Sequence, residues 1–236
     1  MLHWSENVWP DSAPLRREIG GEARAFATPG EYEPLTFAVL PFKDLRGVTV
    51  EFSALEAGPS LDGAKAGGGH GGPGAGGKQI ASSNIDVRYV RYMWVKPNYT
   101  ADGTYYRAPD VLMPMKEANL VKDENFRVWA TVYVPPGTPA ATYRGKATVS
   151  QGGKALASVP VRLRVLPFKL EGKLDVIYGQ YYYTPLRFIS NAPDGYSRAW
   201  YRGKCEKEYQ DMLRHGTTMG TLNIGGERMS DYERYR

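Results

Sequence analysis

An alternating run that ends in prolines, residues 125–145, limits the fold of this chain more than any other stretch. Its first half places an apolar side chain at every second position, which is the period of a strand with one buried face. These positions are Phe126, Val128, Ala130, Val132 and Val134. Pro135, Pro136 and Pro139 then end the strand, because proline has no N–H to donate. A second strand begins at Tyr143, so the run predicts two strands of an antiparallel sandwich joined by a stiff connection.

Similar alternation predicts other strands in the first 170 residues, at 32–40, 48–52, 85–95 and 155–165. Residues 98–122 contain tyrosines and prolines without a steady period and predict a loop. Residues 58–78 are rich in glycine and predict a flexible surface loop. Part of this loop, residues 72–79, has the spacing of a phosphate-binding loop, but Gln79 replaces the required Ser or Thr and a strand follows. We therefore expect no nucleotide site there.

The pattern changes after residue 170. Residues 175–183 predict a strand, and residues 217–224 predict another. Between them Cys205, Tyr209, Met212 and Leu213 recur at helical spacing. Strand, helix and strand in this order imply parallel pairing. The sequence thus predicts a mainly β chain with a β-sandwich over 1–170 and an incomplete (β/α) barrel over 171–236. Capping-box spacing near the end predicts a further helix, so we expect the chain to be the front part of a longer protein.

Composition and charge limit the classes of partner and cofactor that we expect for this chain. The formal charge is +5, but Lys and Arg are scattered, so we expect no nucleic-acid partner. Cys205 is the single cysteine and cannot form an intrachain disulfide. The three histidines, His3, His70 and His215, are too dispersed to predict a metal site, and we expect no cofactor. No apolar run reaches the ~20 residues of a membrane span, and the first 24 residues lack the apolar centre of a signal peptide.

Several segments resemble glycoside hydrolase family 123-like proteins. Those that are similar to the family's N-terminal β-sandwich are GEYEPLTFAVLPFKDL (30–45), SSNIDVRYVRY (82–92), VWATVYVPPGTPAATYRGKATV (128–149) and VRLRVLPFKL (161–170). Those that are similar to the first strand, helix and second strand of its barrel are IYGQYYY (177–183) and EYQDMLRHGTTMGTLNI (208–224). The resemblance implies a non-catalytic sandwich followed by a (β/α)8 barrel whose remainder lies downstream.

The resemblance also implies a carbohydrate substrate and a reaction. The family's chemistry is substrate-assisted cleavage of N-acetylgalactosaminides by an adjacent Asp-Glu pair in the barrel. This sequence does not reach the strand that carries that pair. Asp123-Glu124 is an adjacent pair, but its position predicts a turn of the sandwich, so we assign no catalytic residue. The family's secreted or periplasmic location is implied too, and the sequence leaves the compartment open.

Two groups of residues are candidates for sugar binding. Barrel sites lie at the C-terminal ends of the strands, which points to Gln180, Tyr182 and Asn223. The same residues also suit ordinary packing inside a barrel. Trp129 and Tyr133, on the outward side of the central strand, could form a platform for a sugar ring. Residues of this kind more often pack against a second domain or the other sheet.

Two other classes of function stay open. The chain would also suit a stand-alone carbohydrate-binding module whose C-terminal segment packs on the sandwich. A third class is a structural or interaction protein without any role in sugar chemistry.

Overall fold

The computed structural model describes residues 6–58, 79–96, 103–170, 179–182, 197–214, 217 and 219–222. The chain separates into two compact units, Met1–Leu170 and Glu171–Arg236. Each unit is described by itself.

The first unit is built from strands. In its described residues these are β1 (Ala23–Ala27), β2 (Tyr32–Val39), β3 (Leu45–Phe52), β4 (Leu55–Ala57), β5 (Gln79–Ile80), β6 (Ile85–Val95), β7 (Tyr106–Pro114), β8 (Ala118–Leu120), β9 (Phe126–Tyr133), β10 (Ala141–Gln151) and β11 (Lys154–Val165). Short 3-10 turns lie at Arg16–Glu18 and Ser82–Asn84. The prediction of a mainly β chain is confirmed.

The strands form two sheets. Sheet A follows the order β1-β11-β10-β3-β8, with β4 paired to both β10 and β5, and sheet B follows the order β2-β9-β6-β7. Neighbouring strands are antiparallel except β1 and β11, which run parallel. The strictly antiparallel sandwich that the sequence predicts is therefore broken at the β1 edge.

One hydrophobic core contains side chains of both sheets, in a sandwich-like arrangement. Val128, Ala130 and Val132 of β9 in sheet B are fully buried, as are Val48 of β3 and Leu163 of β11 in sheet A. The alternation that predicts a half-buried β9 is thus confirmed. Burial of this apolar surface is the main favourable contribution to folding.

The proline-rich connection carries the chain from sheet B to sheet A, since β9 and β10 belong to different sheets. The Thr138 hydroxyl and N–H both donate to the Pro135 carbonyl, at 2.6 and 3.1 Å. The buried Tyr143 hydroxyl donates to the Pro139 carbonyl at 3.0 Å. Burial raises the pKa of this phenol. These contacts hold the connection at the point where the two sheets meet.

The predicted loop at 98–122 is wrong in its second half, because β7 and β8 lie there. β7 is the edge strand of sheet B, where a proline does not interrupt hydrogen bonds to a further strand. Its Pro109 pairs with Tyr92 just beside a register shift, so the ladder is already irregular at that residue. The prolines of this stretch, which in the sequence indicate a loop, thus lie in an edge strand with a bulge.

The second unit has a strand, a helix and a strand in its described residues. β12 (Gly179–Tyr182) and β13 (Met219–Leu222) run parallel, and α1 (Arg198–Arg214) lies between them in sequence. The helix begins earlier than its predicted apolar positions, after Ser197, whose hydroxyl accepts from the Trp200 N–H at 3.2 Å. Cys205 is buried, whereas Leu213, predicted on the same face, is exposed. Membership of this unit in a barrel stays a prediction.

The glycine-rich stretch 59–78, with the histidine and the phosphate-loop spacing inside it, lies outside the described residues. The same holds for His3, His215 and the predicted final helix.

Gly145 lies where β10 passes from β4 to β3. A Cβ atom there would be 2.6 Å from Leu55 Cδ2 and 2.9 Å from the Ala54 carbonyl oxygen. Gly145→Ala should therefore destabilise the protein by about 1–3 kcal/mol, because the Ala54 backbone and the buried Leu55 side chain must move. Urea unfolding of Gly145→Ala beside Gly21→Ala, whose Cβ would meet an atom only at 3.7 Å, measures this difference. Equal stability of the two variants would contradict the packing.

Glu33 lies on the core-facing side of the edge strand β2, opposite Val132. Burial, and secondarily the Glu31 carboxylate, raise the pKa of Glu33 from 4.5 to about 7. The folded state thus keeps a proton that the unfolded state loses between pH 4.5 and 7, so this group lowers stability as pH rises through that window. An inward-pointing carboxyl on an edge strand also discourages pairing with another chain.

Glu33→Gln replaces the carboxyl group by an amide that does not titrate, and so removes this pH dependence of stability. We expect it to stabilise the protein at pH 8 relative to pH 4 by on the order of 1 kcal/mol, a value reduced because the side chain is partly exposed to water. Urea unfolding at both pH values measures the difference, with Glu51→Gln, an exposed carboxyl on β3, as the matched control. A difference from the wild type that is the same at both pH values would rule out the titration.

Candidate functional site

The outward face of sheet B is covered at one end by the N-terminal segment, residues 6–12. Asn125, the residue directly before β9, holds this segment in place. Its side-chain amide donates to the carbonyls of Trp9, Pro10 and Ser12 at 3.0, 3.3 and 2.7 Å, and its backbone N–H donates to Pro10 at 2.7 Å. One buried side chain thus satisfies three backbone carbonyls.

Arg127 extends this attachment along β9. Only 3% of its surface is exposed, although the alternation places it opposite the core. One guanidinium nitrogen donates to the Glu6 carbonyl at 2.6 Å and another to the Thr36 hydroxyl at 3.3 Å. Burial lowers the pKa of Arg127, and the neighbouring Tyr92 and Glu6 oppose that shift. A buried cation of this kind is retained only where hydrogen bonds compensate its lost hydration.

Tyr92 of β6 supplies a further contact. Its hydroxyl donates to the Val8 carbonyl at 2.8 Å. Burial raises the pKa of Tyr92, while the cations of Arg127 and Arg107 act in the opposite direction. Asn125, Arg127 and Tyr92 together fix the path of residues 6–12 and therefore the position of Trp9.

A groove of about 520 Å³ opens beside this segment, and we call it the Trp9 groove. Its apolar lining comes from Trp9, Pro10, Trp94 and Tyr106. The rings of Trp9 and Tyr106 meet edge to face with centroids 5.7 Å apart. Trp94, at the end of β6, is 68% exposed. Trp94 thus adds an open ring to a contiguous apolar surface, and such contiguous surfaces are typical of binding sites.

Four charged side chains complete the lining: Asp11, Arg107, Asp123 and Glu124. Arg107 donates to Glu124 Oε1 at 2.8 Å, and its guanidinium lies 6.0 Å from the centre of the Tyr92 ring. Asp123 has a φ of 59°, and its N–H donates to the Pro41 carbonyl at 2.9 Å. The prediction that Asp123-Glu124 lies in a turn is confirmed. The groove thus combines an apolar surface with donors and acceptors of hydrogen bonds.

Trp129 and Tyr133, the predicted sugar platform, lie on the outward side of β9 and outside the lining of the groove. The Arg127 guanidinium lies 5.7 Å from the centre of the Trp129 ring. The Tyr133 ring lies 4.6 Å from that of Tyr32, centre to centre. Each ring therefore has a neighbour within the sheet, and the role in sugar binding stays a prediction.

The predicted barrel residues fall in the second unit. Gln180 and Tyr182 lie on β12, opposite Gly220 and Leu222 of β13. Asn223 lies outside the described residues. Their proposed contacts with a sugar stay predictions.

Sequence reasoning missed the Trp9 groove. Trp9 lies in a segment without periodicity, and Tyr106 lies in the stretch predicted as a loop. Trp94 gave the available signal, because it occupies the outward side of a strand where an exposed position usually carries a polar residue.

Among the described residues, no group of three or more His, Cys, Asp or Glu side chains is placed to hold a metal ion. Within the same residues, none of the helices has the length and apolarity needed to cross a membrane.

Comparison with known proteins gives a likeness in structure. No protein-family model and no curated protein matches the sequence. A solved family 123 glycoside hydrolase from Clostridium perfringens, described in a study of glycolipid glycan hydrolysis, matches with a TM-score of 0.62 and 14% identity. The match covers 86% of this chain and 33% of that one, so the chain spans about a third of the glycosidase. At this identity the likeness concerns the fold.

Other solved structures match less closely. The N-terminal domain of PorA gives a TM-score of 0.27 at 11% identity, over 62% of this chain and 87% of that one. A PapD-like domain of human CEP192 gives 0.26 at 13% identity, over 72% of this chain and 99% of that one.

Replacing Asn125 tests how the segment 6–12 is held. Asn125→Ala should cost about 1–3 kcal/mol of unfolding free energy, because the partly buried carbonyls of Trp9 and Ser12 lose the amide that donates to them. It should also make Trp9 more accessible to acrylamide quenching. The matched control is Asn119→Ala, which removes the hydrogen bond that the Gly47 N–H donates to the exposed Asn119 side-chain oxygen. Equal losses in the two variants would contradict the role of Asn125.

Proposed function

We propose that this chain is the N-terminal part of a glycoside hydrolase. In this proposal residues 1–170 are a non-catalytic β-sandwich, and residues 171–236 are the first strand, helix and strand of a (β/α)8 barrel that continues downstream. The observation that carries the proposal is the likeness to the family 123 glycoside hydrolase. A match over 86% of 236 residues is longer than the 170 residues of the first unit, so it includes part of the second.

The parallel pairing of β12 and β13, with α1 between them in sequence, also supports this proposal. Parallel strands joined through a helix are the repeating unit of such a barrel. A barrel built from this start would place its site at the C-terminal ends of the strands, where Gln180, Tyr182 and Asn223 lie in sequence. These residues would bind substrate hydroxyls, and the acid pair would come from a later strand.

The proposed reaction is hydrolysis of N-acetylhexosaminides. The acetamido oxygen of the substrate attacks the anomeric carbon, one carboxylate orients the acetamido group, and a carboxylic acid protonates the departing oxygen. Water, deprotonated by the same acid in its carboxylate form, then attacks the anomeric carbon and releases the acetamido oxygen. Asp123-Glu124 does not serve here, since Glu124 is paired with Arg107 and Asp123 shapes a turn of the sandwich. The sandwich supports the barrel without contributing to the chemistry.

An activity assay tests the glycosidase proposal. The chain alone and the chain extended by its downstream reading frame are compared on aryl N-acetylhexosaminides, with release of the phenol as the signal. We expect turnover by the extended protein alone. Replacing an adjacent Asp-Glu pair of the downstream segment by Asn-Gln should reduce the rate by at least about a hundredfold. An extended protein without turnover would count against the proposal.

A second function is a carbohydrate-binding surface that acts without catalysis by this chain. The observation in its favour is the Trp9 groove, where exposed aromatic rings lie beside charged hydrogen-bonding groups. This function does not depend on the presence of an active barrel.

A further inference from the structure

We propose that the Trp9 groove binds a short neutral saccharide. This inference gives the second function above a defined site and class of ligand, and it rests on that function rather than on the glycosidase activity. It differs from the predicted platform at Trp129 and Tyr133, which lies outside the groove.

The groove presents an aromatic surface to solvent. Trp94 is 68% and Tyr106 is 38% exposed, so two large rings face solvent at the ends of β6 and β7. A pyranose ring has an apolar face of C–H groups that would cover such a ring and remove it from water. Trp9 meets Tyr106 edge to face, which leaves a corner of aromatic walls instead of a flat patch.

The walls of the groove are held in place before any ligand binds. The Trp9 backbone is fixed by Asn125 and by the Ser12 hydroxyl, which accepts from the Trp9 N–H at 2.9 Å. Trp94 and Arg107 pair across β6 and β7. A preformed site loses little conformational entropy on binding, and this favours a small ligand with few contacts.

The charged groups select the class of ligand. The carboxylates of Asp11, Asp123 and Glu124 accept hydrogen bonds, and the guanidinium of Arg107 donates them. Sugar hydroxyls do both. Carboxylates outnumber cations even when Lys122 is counted, whose ammonium lies 3.6 Å from the Asp123 carboxylate. The surplus of one negative charge disfavours phosphates and acidic sugars in the groove.

The size of the groove agrees with this assignment. Its volume of about 520 Å³ lies within the ~300–1,000 Å³ typical of small-molecule sites. We therefore expect a ligand of a few sugar rings, with a ring stacked on Trp94 and hydroxyls directed at Asp123 and Arg107.

Binding to an array of immobilised neutral, sialylated and sulfated glycans tests the proposal with the full 236-residue chain. We expect neutral glycans alone to bind. A neutral glycan that binds is then titrated in solution by tryptophan fluorescence and calorimetry. Trp94→Ala should weaken the affinity for this glycan by about tenfold or more. Trp94→Tyr should recover part of the lost affinity because a ring is retained.

Matched variants separate the site from general effects. Phe42→Ala removes an aromatic ring that is 83% exposed and outside the groove, and it should leave binding unchanged. Asp123→Asn keeps a residue that tolerates the positive φ while removing the charge, so it should admit acidic glycans more readily. Circular dichroism and urea unfolding verify that each variant is folded.

The outcomes distinguish this site from the proposed functions. Glycan binding that survives Trp94→Ala but is lost in Trp129→Ala would overturn the groove and leave a carbohydrate-binding surface elsewhere. Binding of a proline-rich peptide to the groove, with no glycan bound by the chain, would overturn both the saccharide site in the groove and the carbohydrate-binding function. The absence of any glycan binding would also overturn both of these proposals. The glycosidase proposal would not be affected, because the activity assay tests it separately.

Discussion

The crossing from sheet B to sheet A is the constraint on which the first unit depends. β9 ends in one sheet and β10 begins in the other, so the apolar sides of both sheets must meet in one core. The buried Tyr143 hydroxyl is bonded to the Pro139 carbonyl inside this crossing. A buried phenol without a partner would cost free energy, and for this reason the path of the connection and the packing of the core are coupled.

The opposite face of sheet B is organised by polar contacts instead. Alternation turns Arg127 away from the core, yet residues 6–12 cover it and supply the Glu6 carbonyl as its acceptor. Asn125 completes the attachment with its amide hydrogen bonds. The segment also brings Trp9 to Tyr106, at the start of the edge strand β7. The candidate groove is thus a consequence of how the N-terminal segment is held.

Strand positions were predictable where alternation is strong, as in β6, β9 and β11, because burial of one face leaves a period of two in the sequence. β7 was missed because Pro109 and Pro114 suggest a loop wherever the edge of the sheet is unknown. Trp94 gave a partial signal for the groove, but the contact of Trp9 with Tyr106 could not be predicted, since the two residues are almost a hundred positions apart. The roles of Trp129, Tyr133, Gln180 and Tyr182 stay predictions.

The sequence by itself determined that the chain is mainly β, that its central strand buries one face, and that prolines end this strand. Only the tertiary structure decided which sheet each strand joins, and that Arg127 and Asn125 bind the N-terminal segment. A local period reports that a face is buried but carries no information about what buries it. The covering segment and the groove beside it depend on hydrogen bonds between residues more than 110 positions apart, which no local pattern encodes.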